Sequence, residues 1–225
     1  MDIESLLFDL SVSDCMLPGE EGHRKALNEL RKLCPEACSD NLGNIIAPVF
    51  PTPAGGEHIL IDAHLDEIGF VVTTIDPDGF LRVNKVGGPD MRTLLGHEVT
   101  VHGKKTLYGV FCCQPPHLTS RADYKKAAEI SEIAIDVGLS HDKACELVSP
   151  GDTVFLRRNP AKMLGGLVTG KAFDNRAGVV SILRCIDLLK GQKPGAGLSV
   201  IFSLSEETSF KAVSGGTFAV APTQA

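Results

Sequence analysis

Hydrophobic residues in the first third of the chain recur in patterns that predict one helix and two strands. In EEGHRKALNELRKLC (residues 20–34) the apolar positions fall at helical spacing, at Ala26, Leu27, Leu30 and Leu33. The segment DNLGNIIAPVF (40–50) predicts a turn that leads into a strand. The segment ILIDA (59–63) is short, β-branched and nearly all apolar, which is typical of a strand buried on both faces of an α/β sheet.

The pattern changes between residues 69 and 163, where Gly, Pro and Asp divide the chain into many short strand-like pieces. The pieces on either side of DPDG (76–79) predict a β-hairpin. One helical piece, RADYKKAAEISE (121–132), interrupts the strands. Short strands at this spacing predict a small β-rich module that closes as a barrel.

Longer apolar patterns return after residue 164. Residues 175–190 predict a helix that Gly191 ends, with one apolar stripe formed by Val179, Ile182, Leu183, Ile186 and Leu189. Residues 198–204 predict another buried strand, and FKAVSGG (210–216) is interpreted as an irregular turn rich in small residues. The expected architecture is therefore one α/β domain, residues 1–67 and 164–225, interrupted by a β-rich domain at 68–163.

Composition and charge exclude several functional classes. The net charge of −6 argues against a general nucleic-acid binder. No apolar run reaches the length of a membrane span. The first residues, MDIESLLFDLSVSD, carry acids where an export signal needs basic residues, so a cytoplasmic protein is expected. Seven scattered cysteines then indicate reduced, mostly buried thiols.

Three polar clusters stand at the ends of the predicted apolar elements. His64 and Asp66 follow the strand at 59–63, and Asp174 comes directly before the helix at 175–190. Glu206 and Glu207 follow the strand at 198–204. Because ligand sites of open α/β sheets gather outside the carboxyl ends of strands, these side chains are expected to meet at one edge.

Together these residue types suit a two-metal site. His64 offers an imidazole nitrogen, and the carboxylate of Asp66 points to the same face and could orient that ring. Asp174 has two oxygens that could bridge two cations, and one carboxylate of the pair Glu206 and Glu207 could ligate metal while the other takes a proton from water. A mixed nitrogen and oxygen donor set favours zinc, cobalt or manganese over calcium.

Each cluster also has a simpler interpretation. A histidine at a strand end is usually structural, an aspartate before a helix is usually an N-cap, and a pair of glutamates after a strand is usually a solvated turn. The order of the three clusters and their shared position at element ends favour the metal site over three separate structural roles.

The segments IDAHLDEIGFVV, GKAFDNRAGVVSIL and FSLSEE resemble the three metal motifs of the glutamyl (deblocking) aminopeptidase family. These are co-catalytic two-metal aminopeptidases, also called tetrahedral aminopeptidases, and some were earlier described as cellulases. The segments DNLGNIIA, VNKVGGPDMRTLLGHEVTVHG, QPPHL and IAIDVGLSHDKACELVSPGDTV are similar to other parts of the family. The resemblance covers almost the whole chain.

The resemblance implies a mixed-sheet sandwich metallopeptidase domain interrupted by a β-barrel-like domain that mediates oligomer contacts. Members form hollow dodecamers and remove N-terminal residues from peptides. The matching motifs imply that His64 ligates one metal, Asp174 bridges both and Glu207 ligates the second. They further imply that Glu206 is the general base and that Asp66 holds His64.

The chain departs from the family pattern after the third motif. Thr208 and Ser209 stand where the family has Val-Gly. The family's later Asp and His ligands have no counterpart before Ala225, so the sequence is expected to be truncated at its C-terminus. Two alternatives remain open: a degenerate, non-catalytic relative that keeps the fold and the oligomer-forming module, or a related two-metal deacylase or carboxypeptidase. The inserted module favours the aminopeptidase over the second alternative.

Overall fold

The structure is a computed structural model that describes residues 1–114 and 128–225. The chain divides into two compact units, residues 1–67 with 159–225 and residues 68–158. The helices are α1 (Ile3–Val12), α2 (Glu21–Leu33), α3 (His141–Leu147), α4 (Phe173–Leu188) and α5 (Lys211–Val220). The strands are β1 (Cys38–Ser39), β2 (Ile45–Phe50), β3 (His58–His64), β4 (Gly69–Ile75), β5 (Leu81–Val86), β6 (Glu98–His102), β7 (Thr106–Cys113), β8 (Ile133–Asp136), β9 (Thr153–Leu156), β10 (Ala161–Lys162), β11 (Val168–Thr169) and β12 (Gly197–Ser203).

The first unit is built on a four-stranded mixed sheet in the order β1-β2-β12-β3. Strand β12 runs antiparallel to β2 and parallel to β3, so it lies between two partners. Every residue of β12 is buried. Val200 and Phe202 belong to a core that also takes in Leu10 of α1, Leu30 of α2 and Leu183 of α4. The strand and helix predicted at 198–204 and 175–190 are therefore confirmed in kind and in burial.

Strand β3 differs from the prediction that it is buried on both faces, and that prediction was wrong. Within residues 1–114 and 128–225, β12 is the full strand that pairs with β3. On its other side Ile59 forms a bridge with Gln224. Ile61 is 37% exposed, and Asp62, on the opposite face of the strand, is exposed as well.

The second unit is a closed six-stranded barrel in the order β4-β5-β8-β7-β6-β9, as the short strands predicted. The hairpin predicted at DPDG joins β4 to β5. Its turn is closed by Asp76, whose Oδ1 accepts the backbone N–H groups of Asp78 and Phe80. Phe70 and Phe111 pack edge to face inside the barrel, with ring centroids 4.8 Å apart. The core of this unit is separate from that of the first.

Several segments differ from the sequence-based expectations. Residues 159–163 belong to the first unit rather than to the inserted module, because β10 pairs with β11. FKAVSGG falls almost entirely within helix α5 instead of a turn. A Cβ at Gly216 would lie 2.9 Å from Ile201 Cδ1, so this glycine lets the helix pack closely against β12. Helix α1 was not predicted. Four of the seven cysteines are exposed and two are buried, so "mostly buried" was wrong.

Part of the predicted helical piece at 121–132, and most of QPPHL, lie outside the described residues; Ile130–Glu132 forms a single 3₁₀ turn. Within residues 1–114 and 128–225, none of the helices combines the length and the apolar composition that a bilayer crossing requires.

Candidate metal centre

The parallel pairing of β3 with β12 places two of the polar clusters side by side. His64 is the last residue of β3, and it pairs in register with Ser203, the last residue of β12. The chain that follows each strand therefore leaves the sheet at the same edge. Consequently the segment after His64 meets the segment that carries Glu206 and Glu207, as the strand-end argument predicted.

The side chains predicted from the three clusters come together at this edge. One ligand atom each from His64, Glu206 and Glu207 can be chosen so that all lie within 4.8 Å of one another. Asp174 joins them from the start of α4, with its Oδ1 3.0 Å from Nε2 of His64. Glu206 Oε2 lies 3.7 Å from the same nitrogen. Asp66 completes the set from the segment after β3.

The hydrogen bond on one side of the His64 ring leaves the other nitrogen for a cation. Nδ1 lies 3.0 Å from the backbone carbonyl oxygen of Asp66. Because a carbonyl only accepts, Nδ1 carries the proton and Nε2 has a lone pair that faces the Asp174 carboxylate. Two groups with lone pairs at 3.0 Å need a positive charge between them, either a second proton on the imidazole or a metal ion. This is the arrangement of a metal-binding histidine.

The carboxylate of Asp66 forms hydrogen bonds with the glutamate turn and not with the His64 ring. It is 3.8 Å from Nδ1 of His64, which is too far for a hydrogen bond. Instead, Oδ1 accepts the backbone N–H of Glu206 and Oδ2 accepts that of Glu207, both at 3.1 Å. The turn that presents these two N–H groups begins at Ser205, which has a positive φ of 66°. The carboxylate of Asp66 therefore anchors the glutamate turn, a contact that had no signal in the sequence, whereas the backbone carbonyl oxygen of Asp66 is the group that hydrogen-bonds to His64.

Asp174 is not the cap of helix α4. Its backbone is not helical, and neither is that of Asn175; the peptide bond between them is cis. The N-cap contact belongs to Asn175, whose Oδ1 accepts the N–H of Gly178 at 3.2 Å. The Asp174 side chain is 90% exposed and directed at His64. The capping role that the sequence left open is therefore filled by the neighbouring residue.

The charges in the cluster are unbalanced without a cation. The carboxylates of Asp66, Asp174, Glu206 and Glu207 surround one imidazole. Burial raises the pKa of Glu207, the imidazole of His64 opposes that effect, and the three neighbouring carboxylates raise the pKa further. Repulsion of this kind is relieved when a cation binds. The mixed nitrogen and oxygen donors fit a divalent ion of the zinc, cobalt or manganese type.

Four ionic residues next to the centre were missed by sequence reasoning: Glu67 and Arg176, which are buried, and Asp14 and Lys171, which are partly buried. Three of them lie inside the quoted motifs: Glu67 follows Asp66, and Lys171 and Arg176 stand on either side of Asp174. Each lies beside a run of apolar residues. A charged residue in such a position could have indicated a buried ion pair.

Comparisons with known proteins agree with these features. Residues 43–225 match the family model described as M42 glutamyl aminopeptidase. The glutamyl aminopeptidase of Lactococcus lactis subsp. cremoris (strain MG1363) is 26% identical over 190 residues, which cover 76% of this chain and 50% of the relative. The chain spans 54% to 59% of the length of three further curated relatives.

Two solved structures have the same fold. Aminopeptidase APDkam598 from the archaeon Desulfurococcus kamchatkensis is 29% identical with a TM-score of 0.88, and the match covers 98% of this chain and 60% of that one. The TET1 peptidase of Pyrococcus horikoshii is 30% identical with a TM-score of 0.82, covering 98% and 66%. The latter is described as able to assemble into a tetrahedron or a large octahedral shell.

Proposed function

Since the chain belongs to the M42 glutamyl aminopeptidase family, we propose that the protein is a metal-dependent aminopeptidase that removes N-terminal residues from peptides. One observation carries the proposal. Nε2 of His64 and the carboxylates of Asp174, Glu206 and Glu207 converge where β3 and β12 end and α4 begins. Convergent acids around one imidazole with a free lone pair are the donor set of a hydrolytic metal site.

The residues of the chain divide into ligands and a base. In our proposal two divalent cations are held, one by His64 and Asp174 and the other by Asp174 and Glu207, with zinc, cobalt or manganese as the metal. The surplus of carboxylates supports this assignment, because two cations would neutralise it. Bound divalent ions supply Lewis acidity, which polarises a peptide carbonyl and makes water a stronger nucleophile at neutral pH.

Glu206 is the proposed general base. Its carboxylate lies at the rim of the cluster, 3.7 Å from His64 Nε2, and its backbone is held by Asp66. From this position it takes a proton from the attacking water and returns it to the departing amine. Such proton transfer contributes roughly 10²–10⁴-fold to a rate.

We also propose a homo-oligomeric, cytoplasmic protein. The assembly into shells described for the TET1 peptidase supports the first part, with the barrel unit as the element that makes contacts between copies. The seven free cysteines support a reducing compartment. Peptides are the proposed substrates, and neither nucleic acid nor a membrane is a proposed partner.

The test replaces Glu206 by Gln. We expect the purified wild-type protein, loaded with Zn²⁺ or Co²⁺, to release the aminoacyl group from a panel of aminoacyl p-nitroanilides, and Glu206→Gln to lose about 10²–10⁴-fold in kcat with unchanged metal content. The matched control is Glu57→Gln, an exposed glutamate at the other end of β3.

The same panel distinguishes the alternatives. Cleavage of N-acetylated substrates or of C-terminal residues in preference to free N-termini would indicate a deacylase or carboxypeptidase. Wild-type protein that binds metal and cleaves none of these substrates would be a non-catalytic relative. Full activity of Glu206→Gln would rule out its role as the base.

A further inference from the structure

A cluster of ionic side chains, Asp14, Glu67, Lys171 and Arg176, lies next to the candidate centre. Glu67 contacts both cationic members of this cluster. Glu67 follows Asp66 and is only 3% exposed. Its carboxylate accepts from Arg176 NH2 at 2.9 Å and forms an ion pair with Lys171 Nζ at 3.0 Å. It also accepts the backbone N–H of Cys15 at 3.3 Å. One side chain thus receives two cationic groups and a main-chain donor.

The Arg176 guanidinium has no exposed surface and ties three segments together. Its Nε donates to the carbonyl oxygen of Leu65 at 3.3 Å, between His64 and Asp66 in the chain. Its NH1 donates to the carbonyl oxygens of Ser13, at 2.5 Å, and of Leu10. The end of α1, the segment after β3 and the start of α4 are therefore joined by a single side chain.

The two cations that reach Glu67 flank Asp174 in the sequence. Lys171 comes three residues before it and Arg176 two residues after it. Lys171 is additionally paired with Asp14, after helix α1. The segment that carries Asp174 is consequently bound to Glu67 on both sides of Asp174. Asp174 itself is exposed, and its backbone is not helical.

Stability alone is a poor reason for such a cluster. Removing several charges from water is costly, and apolar side chains of similar volume commonly stabilise a fold as well or better. Fixed charge pairs hold the segments they join at a defined separation. Metal ligands must be held at defined positions, and mutation of the outer residues that orient them typically changes metal affinity 10–100-fold.

We propose that Glu67 is a positioning residue that holds the Asp174 segment in register with the His64–Asp66 segment, so that the ligands are set before the cation binds. The inference rests on the proposed metal centre. The role does not require Glu67 to contact a metal-ligand atom. It acts through Lys171 and Arg176 on one side and through the adjoining backbone on the other.

The experiment measures Co²⁺ binding to the full chain by calorimetry and by visible absorption, with folding checked by circular dichroism. Glu67→Gln keeps the size of the side chain but places amide hydrogens against cationic donors. We expect its Co²⁺ affinity to fall 10–100-fold and its absorption band to shift. Lys171→Gln removes one of the two cations, so it is expected to act in the same direction but less, and it decides the matter if Glu67→Gln does not fold.

The matched control is Val200→Ala, a fully buried core position in β12. It is expected to lower the Tm while leaving Co²⁺ affinity and spectrum unchanged. If Glu67→Gln and Lys171→Gln lose Tm but bind Co²⁺ as the wild type does, the cluster is structural and the inference is overturned while the proposed function stands. If the wild type binds no Co²⁺, the proposed function fails first, and the inference with it.

Discussion

Replacing Asp66 by Asn tests whether this carboxylate fastens the glutamate turn. In the structure each of its two oxygens accepts one backbone N–H, from Glu206 and from Glu207, at 3.1 Å. An asparagine has one oxygen and one NH₂ group, so it can satisfy only one of these donors. Its NH₂ group then faces the other N–H, and two donors meet.

The magnitude follows from these contacts. Loss of one hydrogen bond to a charged acceptor costs about 2 kcal/mol, and conversion of the other to a neutral acceptor costs about 1 kcal/mol. Removal of the Asp66 charge relieves its repulsion with Glu207, which returns less than about 1 kcal/mol. The net loss is about 2 kcal/mol, equivalent to a fall in Tm of about 4–8 °C for a chain of this size.

The measurement is thermal unfolding of the metal-free protein in the presence of a chelator, followed by Co²⁺ titration. Because the turn carries Glu206 and Glu207, affinity is expected to fall about 10–100-fold. Asp62→Asn is the control: Asp62 is exposed, and an asparagine oxygen can still accept its hydrogen bond from Ser203 Oγ. If Asp66→Asn melts as the wild type does and binds Co²⁺ equally well, the carboxylate does not anchor the turn.

Three further variants test other parts of the site. Asp174→Ala should lose both metal equivalents together after dialysis, as measured by elemental analysis, because one residue bridges them; loss of one equivalent argues against bridging. Burial raises the pKa of Glu207, so the folded state favours its protonated form, and that stabilisation is lost as pH rises through the folded pKa. Glu207→Gln should therefore make the metal-free protein more resistant to urea than the wild type at pH 7, by a margin that shrinks as the pH falls through the raised folded pKa and is gone below about pH 4, where Glu207 is protonated in both states; equal resistance at pH 7 would contradict this. In Gly178→Ala a new Cβ would lie 2.2 Å from Asn175 Oδ1 and 3.0 Å from the Cβ of Ala63, so we expect a loss of about 1–3 kcal/mol in urea unfolding, whereas helix propensity alone predicts a gain.

The sequence predicted the main elements because their apolar spacing is local. The stripe of α4, the hairpin at Asp76 and the mostly apolar β12 each depend on residues close together in the chain, so the pattern carries the information. The clusters at the strand ends could also be anticipated, since parallel neighbours bring their carboxyl ends to the same edge. His64, Glu206 and Glu207 were found in this way, and their convergence depends on the pairing of β3 with β12; Asp174 was found separately, at the start of α4.

Only the tertiary structure decided which strand lies at the edge and which contacts each charged side chain makes. β3 and β12 both have an apolar centre, yet among residues 1–114 and 128–225 β12 has two neighbouring strands and β3 has one. Asp66 and Glu67 are adjacent acids, yet one accepts two N–H groups from the glutamate turn and the other binds Lys171 and Arg176. These partners lie more than 100 residues away in the chain. Hydropathy and spacing describe a residue together with its sequence neighbours, whereas the partner of a buried charge is set by how distant segments pack.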